Sequence, residues 1–322
     1  MPSSVLISIC IPAYKRTEFL ERLLGSIARQ IFRNFEVIVT DDSPDQEVKT
    51  LCEKYEGQFQ LRYFRNARAL GSPENWNEAI RRSEGAWIKV MHDDDWFADE
   101  DSLGYFAAAI ARRPEKKERD LPCFIFSAYR DVFLDEDRSR NMFLPPARYK
   151  AFLKNNTVLF ASNIIGPPSV ILYKKEGDIF FDRTVKWVVD IDFYIRYLSG
   201  RRPVYIDKIL VNVGMGSHQV TRDCFRLRPV EIPENFYLLN KVGVANLKNI
   251  LVYDAWWRLM RNLEIRSPEE ISGSGYTGAV PPVILSMIAW QKIIPLRLLR
   301  IGGISKAYML LHYLTHYNLV SS

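Results

Sequence analysis

The feature that most constrains this chain is a buried-strand pattern that ends in three consecutive aspartates. Residues 86–91 are mostly apolar, and Asp93, Asp94 and Asp95 follow directly after His92. Adjacent carboxylates repel one another unless a positive charge neutralises them, and their oxygens suit the hard cations Mg²⁺ and Mn²⁺. A solvated acidic turn before a helix is the other interpretation. The apolar strand and the aromatic pair at 96–97 favour a cation site.

Strand and helix patterns alternate through the first part of the chain. Apolar runs predict buried strands at 5–11, 35–40, 61–64 and 87–91, and helical periodicity lies between them at 17–31, 45–55 and 74–83. This alternation predicts an α/β fold with a doubly wound, mostly parallel sheet. Further on, residues 187–198 predict a helix and residues 204–213 predict one or two short strands.

Polar residues follow three of these strands. They are the segment 14–16, the pair Asp41 and Asp42, and the aspartates at 93–95. In parallel sheets, ligands bind beyond the carboxyl ends of the strands, so these loops are expected to form one cleft. The first strand is followed neither by a Gly-x-Gly-x-x-Gly motif nor by a Walker loop, which argues against a dinucleotide oxidoreductase or a P-loop NTPase. Phosphate is therefore expected to be held by a metal and side chains.

The composition changes near residue 228, after which only helical patterns occur. We therefore predict a catalytic domain at 1–228 and a helical region at 229–322, with a Ser-, Gly- and Pro-rich linker at 267–282. Residues 271–322 contain no Asp or Glu, and their Lys and Arg residues are Lys292, Arg297, Arg300 and Lys306. Two interpretations stay open: these helices contact an anionic membrane surface, or they pack on the catalytic domain or on a second subunit.

Composition also bounds the cellular context. The four cysteines are far apart, which is typical of reduced thiols and not of a disulfide framework. Neither a signal-peptide pattern nor an apolar run of roughly 18 residues is visible. A cytoplasmic protein, or one held at the cytosolic face of a membrane, is therefore expected. The net charge of +6 comes with an acidic cluster, which argues against a general nucleic-acid binder.

Three segments resemble those of the family-2 glycosyltransferases. They are residues 8–16 (SICIPAYKR), 35–43 (FEVIVTDDS) and 92–97 (HDDDWF), in the family's order and rough spacing. Members of this family are inverting, nucleotide-sugar-dependent enzymes with a GT-A fold. The resemblance covers about the first 225 residues, and the C-terminal helices lie outside it.

The resemblance implies a set of residues that bind the nucleotide-sugar donor. This set comprises Pro12, Ala13, Tyr14, Arg16, Asp42, Arg68, Asp93 and Asp94, and Asn75 could line the same pocket. Tyr14 would stack on the base, Asp42 would hydrogen-bond it, and Arg68 would help to hold the base or the diphosphate. Asp94 would face the ribose and the sugar. Simpler interpretations exist: Tyr14 covers a strand end, and Asp42 caps the next helix.

The resemblance also implies a metal site and a general base. Asp95 would bind the divalent cation, Mn²⁺ or Mg²⁺, and His218 would complete its shell or close over the diphosphate. Asp190 resembles the base, but Val189 stands where the family commonly has Glu, so Asp192 stays open as an alternative. Simpler interpretations are a helix N-terminal charge for Asp190 and an ordinary loop histidine for His218.

These observations predict an enzyme that moves a sugar from a nucleoside-diphosphate donor, expected to be a UDP sugar, with inversion. The acceptor would be a hydroxyl of a glycan or of a lipid-linked glycan. One alternative is a nucleotidyltransferase, although the basic Gly-rich phosphate loop of that class is not found in the sequence. Another is a non-catalytic scaffold of the same fold that binds a glycan or a membrane.

Overall fold

The computed structural model describes residues 5–111, 121–216 and 224–321. The chain divides into two compact units, which we call the sheet unit and the helical unit. The sheet unit comprises Met1–Leu153, Ile164–Arg183 and Arg196–Ser217, and the helical unit comprises Lys154–Asn163, Thr184–Ile195 and His218–Ser322. These units are discontinuous in sequence, whereas the predicted boundary was a single cut at residue 228. The domain assignment therefore stays a prediction.

One nine-stranded sheet forms the sheet unit, with the order β3-β2-β1-β4-β8-β6-β9-β5 and with β7 beside β6. The strands are β1 (Ile7–Ala13), β2 (Phe35–Asp41), β3 (Gln60–Arg65), β4 (Trp87–Val90), β5 (Trp96–Phe97), β6 (Phe124–Phe133), β7 (Arg138–Met142), β8 (Ile171–Lys174) and β9 (Val204–Met215). The first four strands are parallel, as are β6 and β9, and the other pairings are antiparallel. The predicted mostly parallel α/β sheet is confirmed.

The register of the parallel strands brings their carboxyl ends together. Ala13 at the end of β1 pairs with Asp41 at the end of β2, and Cys10 pairs with Val90 at the end of β4. These strands are apolar and buried because both faces of the sheet are covered, which explains their continuous hydrophobic runs. The loops after β1, β2 and β4 therefore begin at one edge, as predicted.

Helices connect the strands. Those of the first part of the chain are α1 (Thr17–Ala28), α2 (Glu47–Glu53), α3 (Glu74–Arg82), α4 (Ser102–Ala111), α5 (Pro146–Lys154) and α6 (Val189–Tyr197). In α1, Leu20, Leu23, Leu24 and Ile27 are buried at spacings of three and four, because one stripe of an amphipathic helix faces the core.

The C-terminal part of the helical unit contains α7 (Arg228–Val242), α8 (Ile250–Asn262), α9 (Pro268–Gly273), α10 (Pro282–Ile293), α11 (Leu296–Leu299) and α12 (Gly302–His316). Its core is built around Trp256, Trp257 and Tyr253 of α8. Val283 and Met287 of α10 join this core, so α10 packs on helices of its own unit. Among the described residues, no helix is both long and apolar enough to cross a membrane.

The predicted linker at 267–282 is wrong for its first half. Residues 268–273 form α9, whose N-terminus is closed by a capping box between Ser267 and Glu270. Ile271 is buried in the helical core. Ser, Gly and Pro are typical of linkers, but Ser and Pro are also the preferred residues at helix N-termini. Here Ser267 and Pro268 begin a helix.

Candidate active site

The turn after β4 forms the centre of the candidate site. The amide of Asp95 donates to the carbonyl of His92 at 3.1 Å, which closes the turn. Asp93, Asp94 and Asp95 are all buried, at 2 %, 8 % and 2 % exposure. The solvated acidic turn is therefore the wrong interpretation, because a surface turn would leave its carboxylates in water.

Arg16 neutralises the first of these aspartates. Its Nη2 lies 2.5 Å from Oδ1 of Asp93 and its Nε lies 3.1 Å from Oδ2, a two-pronged contact that fixes both side chains. The Nη1 of Arg16 also lies 3.7 Å from a carboxylate oxygen of Asp94. Burial nevertheless raises the pKa of Asp93 to about 7, because desolvation outweighs the attraction of Arg16.

Asp95 is held by residues from later in the chain. The amide of Gly214, in β9, donates to its Oδ1 at 3.0 Å, and the Ser169 hydroxyl also hydrogen-bonds this carboxylate. Burial, and then the negative charge of Asp94, raise the pKa of Asp95 well above its usual range. A group with these properties favours a nearby cation, which would offset both effects.

Ser169 connects the turn to a buried lysine. Its hydroxyl accepts the amide of His92 at 2.9 Å, and its carbonyl accepts a hydrogen bond from the ammonium of Lys89. Lys89 is fully buried in β4, and burial lowers the pKa of its ammonium to about 7. The positive charge of Lys89 acts on Asp95. Lys89 thus places a buried basic group of the chain next to the acidic turn.

His92 completes a group of possible metal ligands that the sequence analysis missed. One ligand atom each from His92, Asp94 and Asp95 lies within 4.8 Å of the others. The Nε2 of His92 is buried and has no hydrogen-bond partner within the described part of the chain. Burial lowers the pKa of the imidazole to about 4, so it is neutral at pH 7, as a ligand must be. Its position directly before the aspartates was the available signal.

These three residues fit a divalent cation. Two carboxylates and one imidazole suit Mn²⁺ well and Mg²⁺ less well, since Mg²⁺ prefers oxygen ligands alone. The Nδ1 of His92 lies 4.0 Å from a carboxylate oxygen of Asp95, and a cation held by the imidazole and both carboxylates would offset the cost of burying the two acids. His218, the other predicted ligand, lies outside the described residues.

Asp42 and Asn75 form a second group at the ends of β1 and β2. The Nδ2 of Asn75 donates to the carbonyls of Ala13 and Thr40 at 3.3 and 3.1 Å. The Asp42 carboxylate accepts the amides of Leu70 and Gly71 at 2.9 and 2.8 Å. Asp42 therefore holds the loop that carries Arg68. It does not cap α2, whose N-cap residue is Gln46, so the helix-cap interpretation is wrong.

The remaining predicted donor-binding residues flank these groups. Tyr14 is 49 % exposed, with the Lys15 ammonium 5.0 Å from the centre of its ring. Tyr14 is thus about half exposed, and both interpretations of it, stacking on the base and covering a strand end, stay predictions. The preceding Pro12 and Ala13 lie at the end of β1. Arg68 is exposed on the loop that Asp42 holds.

Asp190 belongs to the helical unit and lies in the first turn of α6. Its Oδ2 accepts from Nδ2 of Asn163 at 2.6 Å, and its Oδ1 accepts the amide of Ile191 at 2.8 Å. The side chain is partly exposed, and burial raises its pKa to about 6. Asp192, by contrast, is fully buried and paired with Lys241 at 2.7 Å. Of the two, only Asp190 is accessible.

Glu234 of α7 positions the start of α6. Its carboxylate accepts the amides of Lys186, Trp187 and Val188 at 2.7–3.2 Å. A carboxylate at this position satisfies amides that the helix cannot bond internally and interacts favourably with the helix dipole. The turn that carries Asp190 is thereby fixed within the helical unit.

Comparisons with known sequences bear on this site. Residues 8–176 match the model of glycosyl transferase family 2. The poly(ribitol-phosphate) beta-N-acetylglucosaminyltransferase TarS of Staphylococcus aureus is 25 % identical over 206 residues, which are 61 % of this chain and 33 % of TarS. The abequosyltransferase RfbV of Salmonella typhimurium is 32 % identical over 103 residues, which are 31 % of each chain. The chain thus spans about a third of these relatives.

Solved structures share the fold. The crystal structure of S. aureus TarS aligns with a TM-score of 0.58 at 18 % identity, covering 94 % of this chain and 54 % of TarS. TarS 1-349 in complex with UDP-GlcNAc aligns at 0.54 and 18 % identity, covering 97 % and 91 %. The mannosyltransferase PcManGT of Pyrobaculum calidifontis, in complex with GDP-Man and Mn²⁺, aligns at 0.54 and 14 % identity, covering 97 % and 86 %. The predicted GT-A fold with a helical C-terminal region is confirmed.

Proposed function

The chain belongs to glycosyl transferase family 2, and from this premise we propose that it moves a sugar from a nucleoside-diphosphate donor to a hydroxyl of a glycan acceptor. The observation that carries the proposal is the buried turn at 92–95, in which two carboxylates and an imidazole converge beside Arg16. Such a concentration of buried charge costs stability, and a chain tolerates it where a ligand makes use of it.

The donor would be held at the ends of β1, β2 and β4. Tyr14 offers an exposed ring for the base, and Asp42 orders the loop that presents Arg68 to the base or the diphosphate. Arg16 and Asp93 form a fixed pair beside Asp94, which would contact the ribose and the sugar. TarS binds UDP-GlcNAc and PcManGT binds GDP-Man, and we propose a UDP sugar for this chain.

His92, Asp94 and Asp95 would hold the divalent cation, and His218 stays a predicted fourth ligand. When bound, such a cation neutralises charge on the departing diphosphate. The chain contributes to the same end by excluding water from the turn and by fixing its carboxylates through Gly214 and Ser169.

Asp190 would act as the general base. Its carboxylate takes the proton of the acceptor hydroxyl as that oxygen bonds to the anomeric carbon, while the bond from this carbon to the diphosphate oxygen breaks with its electron pair. Attack opposite the leaving group inverts the anomeric centre. A pKa of about 6 keeps Asp190 ionised at pH 7 yet basic enough to accept the proton. The ion pair of Asp192 makes that residue the weaker candidate.

The acceptor is proposed to be a surface glycan or a lipid-linked glycan. TarS acts on poly(ribitol-phosphate), and another relative is the GalNAc(5)-diNAcBac-PP-undecaprenol beta-1,3-glucosyltransferase of Campylobacter jejuni, 28 % identical over 91 residues. A cytoplasmic location, or one at the cytosolic face of a membrane, is proposed with it, because nucleotide sugars would be available there.

The test is release of nucleoside diphosphate from a panel of nucleotide sugars with Mn²⁺, with Mg²⁺ and with EDTA. We expect turnover of one donor with metal, none with EDTA, and none for Asp95→Asn. Pyrophosphate release from a nucleoside triphosphate and a sugar phosphate would instead indicate a nucleotidyltransferase. Donor binding without consumption, in the presence of candidate acceptors, would indicate a scaffold.

A further inference from the structure

The solvent face of α12 is apolar, the reverse of an ordinary surface helix. Ile304, Ala307, Leu311 and Leu314 are exposed at spacings of three, four and three residues, so they form one stripe along the helix. Leu311 and Leu314 are 51 % and 69 % exposed. The opposite face is buried through Ser305, Met309 and His312. The helix therefore has its structural contacts on one side, and on the other an apolar surface that no described residue of this unit covers.

Neighbouring helices of the same unit also expose aliphatic side chains. α10 and α11 both contact α12. Leu285 and Ile293 of α10 are exposed to 36 % and 75 %, and Leu298 of α11 is exposed to 40 %. Soluble proteins rarely expose this much aliphatic surface within one short segment, and such surfaces mark sites of protein or membrane contact.

The charged side chains of α10, α11 and α12 are all basic. No acidic residue follows Glu270, while Lys292, Arg297 and Lys306 are exposed. Arg300 is already paired with Glu264, and Lys292 interacts electrostatically with Glu269 without an ion pair. Among the described residues, neither Arg297 nor Lys306 has a carboxylate within 4.0 Å. Lys306 directly precedes Ala307 of the apolar stripe and lies four residues before the exposed Leu310.

We propose that the outer face of α10–α12 binds a bilayer that contains anionic lipids. The aliphatic stripe would enter the boundary between head groups and acyl chains, and Arg297, Lys306 and Lys292 would contact lipid phosphates. A second copy of the chain fits less well, because a two-fold interface would bring Arg297 and Lys306 against the same charges, and among the described residues no carboxylate lies within 4.0 Å of either. The inference depends neither on the donor nor on the transfer chemistry.

The test is co-sedimentation of the full chain with vesicles of phosphatidylcholine alone or mixed with phosphatidylglycerol. We expect binding to the mixed vesicles, weakened by salt because exposed charges are screened. Leu311→Ser together with Leu314→Ser should weaken binding at least about tenfold. Lys292→Gln, Arg297→Gln and Lys306→Gln combined should remove most of the salt dependence.

Ile31→Ser together with Phe143→Ser is the matched control, since these side chains are exposed to 61 % and 52 % but lie in the sheet unit. This control should bind vesicles like the wild type. Equal binding by the control and the leucine variant, or no vesicle binding by the wild type, would overturn the proposal. So would a dimer in analytical ultracentrifugation that the leucine variant dissociates, because a second copy would then occupy the face. Donor turnover, measured separately without vesicles, keeps this result distinct from the proposed activity.

Discussion

The amide of Gly214 donates a hydrogen bond to Oδ1 of Asp95 at 3.0 Å, across 119 positions of sequence. The approach is so close that a Cβ on Gly214 would lie 2.4 Å from the backbone carbonyl oxygen of Asp94. Position 214 therefore requires glycine, because the backbone of the acidic turn occupies the space that a side chain would need. This contact couples the position of two candidate metal ligands to β9.

Gly214→Ala should therefore displace the acidic turn. The atom that it meets is backbone, which cannot rotate away, so we expect a loss of about 1–3 kcal/mol in stability and a much larger requirement for Mn²⁺. Gly104→Ala is the matched control, since no atom lies within 4 Å of its added Cβ and alanine is the better residue within α4. Denaturant unfolding and Mn²⁺ titration of donor turnover measure both effects. Wild-type behaviour of Gly214→Ala would contradict the close approach.

His92 is expected to be a metal ligand. His92→Phe keeps a ring against Trp76, 4.6 Å away between ring centres, but removes the ligand nitrogen. The Mn²⁺ concentration that gives half-maximal turnover should rise at least about tenfold. EDTA should abolish the turnover of the wild type, and added Mn²⁺ should restore it. His316→Asn, in the helical unit, should leave the metal requirement unchanged. An unaltered Mn²⁺ dependence in His92→Phe would remove His92 from the site.

Lys89 should make stability depend on pH. Burial lowers its pKa to about 7 in the folded protein, whereas an unfolded lysine titrates near 10.4. Between these values the unfolded chain binds more protons, so this group makes stability rise with pH. Below about pH 7 the folded state carries the full cost of a buried charge. Lys89→Met should thus be more stable than the wild type, most of all below pH 7.

This gain should shrink as the pH rises from about 7 toward 10, where both states lose the proton. Urea unfolding of the two proteins across that range measures the difference. Titrating groups cancel in it unless their pKa depends on the charge of Lys89, as those of Asp95 and His92 do. Lys150→Met, at an exposed position, controls for the loss of a lysine and should change stability little. A gain of Lys89→Met that is the same at every pH would show that burial of the charge is not its cause.

The elements that sequence predicts well are those with a strong local pattern. The apolar runs of β1, β2 and β4 needed no knowledge of their neighbours, because a strand buried on both faces is apolar throughout. The edge at which their loops meet followed from the rule for parallel sheets. The helical patterns after residue 228 predict a helical region, and α7 to α12 form it, although α9 lies where a linker was predicted.

What sequence could not predict depends on contacts between distant residues. Gly214 lies at the end of β9, and nothing local marks it as the partner of Asp95. The sequence analysis assigned His92 no role, because whether an imidazole binds a metal depends on which carboxylates face it. The segments 154–163 and 184–195 are short, and only the folded chain shows that they join the helical unit.

Asp190 should set the acid limb of the pH profile. A general base must be ionised, and burial raises its pKa to about 6, so kcat/KM should rise with pH through about 6. Asp190→Asn should abolish transfer and leave donor binding nearly intact. Asp192→Asn is the comparison: it leaves Lys241 without its buried partner, so stability should fall. Loss of donor binding in Asp190→Asn would exclude the role of base.

The hydrogen bond from Asn163 to Asp190 allows a second test of Asp190 as the general base. Its amide donates to Asp190 at 2.6 Å and lowers the pKa of that carboxyl, because the hydrogen bond favours the charged form. Asn163→Ala should therefore move the acid limb of kcat/KM to higher pH while the rate at high pH is largely kept. A variant that merely disturbs the fold would lower the rate at every pH without moving the limb. A limb at the wild-type position in an active Asn163→Ala variant would show that another group titrates there.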